Sequence, residues 1–113
     1  MDLILRTMPL STNHLYAHSG RRRFMTSKGK ENKEAIQWET RGQYRGKPLV
    51  CPVRLKIALW WGDKRKHDID NIKILLDAFT GILYEDDGQI TELNIVKDYD
   101  KENPRVEITI ESL

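Results

Sequence analysis

One cysteine, no long apolar run and almost no net charge define what this 113-residue chain lacks. Cys51, being alone, closes no internal disulfide and has no second thiol for a zinc site, so it reads as an ordinary buried small hydrophobe. His14, His18 and His67 have no paired ligand spacing, which excludes zinc from the imidazole side too. No apolar stretch approaches the roughly 20 residues that span a bilayer. Residues 1–10 have an acid in second place and no apolar h-region, so the expected location is the cytoplasm, with no membrane partner. Internal repeats and low-complexity linkers are lacking as well, which leaves one domain over residues 1–113. The net charge of +2 is too small to establish a nucleic-acid partner. Its distribution says more: Arg21, Arg22 and Arg23 form one basic cluster, Lys64, Arg65 and Lys66 another, and Glu85, Asp86 and Asp87 an acidic one.

What is present, 39% hydrophobic and 32% charged residues, suits a soluble globular chain. Its periodicities predict an α+β fold, a small mixed or antiparallel sheet with helices packed on it. Within residues 2–8, Leu3 and Leu5 alternate with Ile4 and Arg6, a short first strand that stops before Pro9. Residues 11–30 are polar and read as an irregular basic surface segment. Ala35, Ile36 and Trp38 permit a short helix over 32–41, with Gly42 as its stop. In residues 52–61, Val53, Leu55, Ile57 and Leu59 share one face while Arg54, Lys56 and Trp60 take the other, the period of a strand. A charged connection over 62–67 leads to Asp70, read as the N-cap of a helix that places Ile72, Leu75, Leu76, Phe79 and Leu83 on one face and closes at Gly81. Two more strands, 90–96 and 106–110, flank the turn-rich residues 100–104 and are expected to pair as a hairpin.

Chemistry concentrates around that second helix. HDIDN at 67–71 sets two carboxylates where a charged loop enters it, and EDDGQ at 85–89 adds three beyond its end. Hard divalent cations take oxygen ligands and keep several waters, so one or two carboxylates per ion suffice. Two ions about 3.5–4 Å apart stabilise both the attacking and the leaving oxygen of a phosphodiester displacement. Aspartates at caps and in turns are also common solvated surface, and spacing alone leaves that plainer reading ahead. An EF-hand is excluded, because Lys73 stands where the loop needs glycine and Phe79 where it needs a bidentate glutamate.

At these residues the chain resembles the RusA family of Holliday-junction resolvases, which carry D-x-D-N, a lysine shortly afterwards, a hydrophobic L-D-A helix and a D-D-x-Q turn before a strand. Here the pattern reads DIDNIKILLDAF and YEDDGQI. The resemblance is strong over residues 64–90, extends to PLSTNHLY at 9–16, and finds no family signal between 28 and 49. It implies a Mg2+-dependent endodeoxyribonuclease, with Mn2+ as substitute, that acts as a homodimer on four-way DNA junctions in recombination and repair. The same resemblance makes Asp68, Asp70 and Asp87 the metal-binding and catalytic carboxylates, with Asp86 a neighbour able to share the work. It makes Lys73 the catalytic lysine, although only Ile72 separates it from Asn71 where the family pattern has two residues. Asp77 belongs to the pattern as well, a plain i,i+4 pair with Lys73 being its other reading. The implied mechanism is hydrolysis by a metal-activated water, with Lys73 neutralising charge at the scissile phosphate.

Lys64, Arg65, Lys66 and His67 immediately precede the acidic pair and read as contacts to the DNA backbone that carry no base readout. Arg21, Arg22 and Arg23 are second-rank candidates. Trp60 and Trp61 suit stacking on unpaired bases, but at a strand end they are more often core or interface residues, and Tyr84 has the same balance. Two other functions compete: a junction-binding module without catalysis, against which the joint presence of three aspartates argues, and a small structural or interaction protein with merely solvated acids.

Overall fold

The computed structural model describes residues 1–11, 16–20, 22–67 and 69–113, without the side chains of Tyr16, His18, Ser19, Arg22, Arg23 and Asp70. The strand β4 (Val53–Trp61) organises the sheet because its alternation is the cleanest in the chain. Val53, Leu55, Ile57 and Leu59 are all buried. On one side β4 pairs antiparallel with β6 (Arg105–Ser112), whose Val106, Ile108 and Ile110 continue the same buried face. On its far side β6 pairs antiparallel with β1 (Asp2–Leu5), which adds Leu3 and Leu5. The other neighbour of β4 is β5 (Ile90–Tyr99), which runs parallel to it, so the order is β1-β6-β4-β5.

That order overturns the expected hairpin between the last two strands, since β4 lies between them. The reason is burial. The strand β6 is apolar at every second residue and takes an interior place, whereas β5 is exposed at most positions and takes the edge. Turn residues at 100–104 report a reversal but not how many strands it crosses.

Residues 11–30 are more regular than their composition suggests. A small hairpin joins β2 (Tyr16–Ser19) to β3 (Arg22–Met25), and helix α1 (Ser27–Gln43) follows, starting earlier than expected. Thr26 is its N-cap, with a side chain that accepts from Gly29 N at 3.0 Å. The helix runs through Gly42 and buries Ile36 and Thr40 against the sheet. It also covers the edge of β1: Gln43 exchanges two hydrogen bonds with the Ile4 backbone, 2.8 and 2.7 Å, and Glu39 accepts from Arg6 N at 2.7 Å. The outer edge of β5 pairs with no strand among the described residues.

Helix α2 (Ile72–Phe79), preceded by a 3-10 turn at Ile69–Asn71, is the crossover that makes the parallel β4–β5 pair possible. Ile74, Leu75, Ala78 and Phe79 bury its inner face, and Gly81, with φ +86°, follows its close as expected. Two details differ from expectation. Asp70 lies inside the 3-10 turn and Asn71 is the N-cap, with no side-chain cap bond; Leu83 joins the core from the loop after the helix. No helix among the described residues is long and apolar enough to cross a membrane.

Candidate active site

The β4–α2–β5 crossover carries the chain from one acidic motif to the other. Ligands of parallel α/β units bind beyond the carboxyl ends of the strands, and here that end opens into a cleft of about 460 Å³. Its lining comes from the end of β4, the following loop and the end of β5: Trp61, Asp63, Lys64, Arg65, Lys66, His67, Lys97, Asp98 and Tyr99. Lys64, Arg65 and Lys66 are exposed. The Lys64 ammonium lies over the Tyr99 ring at 5.1 Å, and Arg65 approaches Asp63 at 3.5 Å. His67 forms a wall of the cleft: its ring stacks on Trp61, with centroids 3.8 Å apart and planes 6° apart, and its Nε2 lies 2.8 Å from Asp63 Oδ1. That hydrogen bond, with a second from Arg65 N, holds the Asp63 carboxyl below the usual range. Trp61 is therefore a packing partner of the loop, and Trp60 is held on the opposite face of the sheet by the Arg105 guanidinium, 4.7 Å from its ring.

The loop enters α2 through position 70. Asp68 and the side chain of Asp70 lie outside the described residues. The backbone at 70 is in the 3-10 turn, where residues i and i+3 eclipse. Lys73, three residues on and exposed, thus shares its side of the axis with position 70. Asp77 follows one turn later on the same side. Asn71 is only 3% exposed, and among the described residues its Oδ1 accepts no hydrogen bond. A buried acceptor left unpaired costs about 1–3 kcal/mol.

The acidic turn is built as a capped 3-10 helix (Asp87–Gln89). Asp86 is its N-cap, and its Oδ2 accepts from Gly88 N at 3.0 Å. An added Cβ at Gly88 would lie 2.6 Å from that oxygen, so a larger residue there would displace the Asp86 carboxylate. Gln89 completes a capping box: its Oε1 accepts from Glu85 N and Asp86 N at 3.0 and 2.9 Å, and its Nε2 donates to Leu49 O and Cys51 O at 2.8 and 2.9 Å. Asp87 is exposed, and among the described residues its carboxylate has no hydrogen bond or ion pair. Tyr84 is buried and donates to Leu76 O at 2.7 Å; burial, then the charge of Asp87, pushes its phenol well above the ordinary value, so it stays protonated.

The structure thus gathers Lys64, Arg65, Lys66 and His67 at one cleft, shortly before position 70 in the chain, and sets Asp87 in the turn that follows α2, where it and Asp77 both act electrostatically on the Tyr84 phenol. Among the described residues, no group of three or more His, Cys, Asp or Glu is placed to hold a metal. Sequence reasoning included Gln89 in the acidic turn but gave it no role, although its D-x-x-Q spacing from Asp86 is a capping-box signal, and it missed Lys97 and Tyr99, which the parallel pairing carries to the cleft.

The model of the endodeoxyribonuclease RusA family matches residues 7–111. A crossover junction endodeoxyribonuclease rusA of Enterobacteria phage 82 is 29% identical over 104 residues, 90% of this chain and 87% of that protein. The crossover junction endodeoxyribonucleases RusA of Escherichia coli strain K12 and Shigella sonnei strain Ss046 are each 28% identical over 104 residues, with the same coverage.

Proposed function

This chain belongs to the RusA family of endodeoxyribonucleases, and from that premise we propose that it resolves four-way DNA junctions by symmetric, divalent-ion-dependent hydrolysis. The observation that carries the reading is that the family match runs through both acidic motifs, which the fold sets on a single crossover beside a basic cleft.

Mg2+, or Mn2+ in its place, is the ion we assign. Two features of the described residues suit a hard cation: the uncommitted Asp87 carboxylate, and the buried, unpaired Asn71 Oδ1 next to position 70. Asp68, Asp70 and Asp87 are the residues that would hold it. When bound, such an ion lowers the pKa of a water and polarises the scissile phosphate. Lys73 contributes a positive charge where the phosphate and leaving oxygen become more negative. Lys64, Arg65 and Lys66 hold the backbone of one strand against the cleft and position it without reading its bases.

We assign a homodimer because a two-fold substrate calls for two sites related by the same symmetry.

The test is cleavage of synthetic four-way junctions and matched linear duplex with Mg2+, Mn2+ or chelator. Symmetric, ion-dependent cutting of the junction is expected, with the duplex left intact. Equal cutting of duplex, or cutting that resists chelator, would sink the reading.

A further inference from the structure

We propose that Lys97 is a positioning residue, which from the edge strand β5 fixes the peptide leading into Asp68; the proposal rests on the reading above that the 68–70 segment carries working carboxylates. Three contacts converge on His67. Its ring stacks on Trp61, its Nε2 pairs with Asp63 Oδ1, and its carbonyl oxygen accepts from Lys97 Nζ. The first two partners belong to β4 and to the loop itself, and they fix the imidazole. The third alone grips the backbone.

That distinction matters because the carbonyl of residue 67 and the nitrogen of residue 68 belong to one planar peptide unit. Holding the oxygen sets the orientation in which the chain enters Asp68. Lys97 has a firm base from which to do this, being paired with Leu59 in the β4–β5 register, with two more paired residues beyond it in the strand. The other tie across the cleft, Lys64 over Tyr99, joins two exposed side chains and touches no backbone near Asp68. Lys64, Arg65, Lys66 and Lys97 are all exposed at the cleft, and what sets Lys97 apart is a donor committed to a backbone carbonyl.

Lys97→Met keeps the length of the stem and removes the ammonium, and Lys97→Arg keeps a donor. Each is compared with the wild type in three measurements: calorimetric titration with Mn2+ alone, the rate of trypsin nicking after Lys64, Arg65 and Lys66, and junction affinity without metal over a range of salt. Lys97→Met should weaken Mn2+ binding about tenfold, the scale of one charge-assisted hydrogen bond. It should speed loop nicking by a similar factor and leave metal-free junction affinity within about twofold. Lys97→Arg should restore both. Unchanged Mn2+ affinity and nicking would overturn the proposal, and so would a drop in junction affinity with a shallower salt dependence, which marks a phosphate contact. If the wild type binds no Mn2+, the functional reading fails, and the nicking rates still decide whether Lys97 holds the loop.

Discussion

Asp86 and Asp87 are adjacent, and the backbone gives them different work. Asp86 commits an oxygen to Gly88 N, while the Asp87 carboxylate makes no hydrogen bond or ion pair among the described residues. Asp86→Asn should therefore keep the cap, since asparagine caps as well as aspartate, and retain cleavage within about threefold; Asp87→Asn should lower it at least about 100-fold. Parallel junction-cleavage assays on the two proteins check this, and equal losses would refute the assignment. Asp70→Asn should abolish cleavage while leaving junction binding intact or tighter, because removing a negative charge beside the phosphates can only reduce repulsion. A gel shift and a cleavage assay on one folded preparation decide it. Lys73→Ala should lower turnover more than DNA affinity, since a charge aimed at the developing transition state acts there and not in binding. At this scale the motif singles out both aspartates of the turn, but it cannot say which of the two caps it, because that depends on a φ and a hydrogen bond.

Gln89 makes four hydrogen bonds, two to the acidic turn and two to the segment ahead of β4, and so ties that turn to the sheet. Gln89→Ala leaves those groups to water or to nothing. It should destabilise the protein by about 2 kcal/mol, lowering the melting temperature by several degrees, as a thermal melt would show; no shift would remove it as the anchor of Asp87. Among the elements, β4 and α2 could be read directly, because each has one unbroken period and one buried face. The start of α1 was missed although Thr26 marks it, since polar residues through 31 give no apolar stripe to follow. The partner of β5 was missed for a different reason: a parallel pair leaves no local turn signal, and its one trace in the chain is that β5 is too polar to lie inside the sheet.

The whole molecule is one α+β core in which both chemical motifs flank a single crossover, and the α+β class with helices on a small sheet followed from pattern alone. A homodimer is expected in solution: light scattering should give twice the 13.3 kDa chain mass, and a fully active monomer at assay concentration would refute it. If two copies share carboxylates, mixing Asp70→Asn with Asp87→Asn protein should recover nicking that neither has alone. The sheet has a further consequence. Its ladders join Asp2 to Thr109 and Val53 to Ile90, so its contacts span long stretches of chain. Folds dominated by such distant pairings form slowly, on the order of milliseconds to seconds, because loop closure precedes the reward. The acidic turn that leads into β5 takes its place only when that strand has docked beside β4. A chain still emerging from the ribosome, or one beginning to unfold, has the acidic residues but not their arrangement, and completion of the fold itself is what arms this protein against DNA.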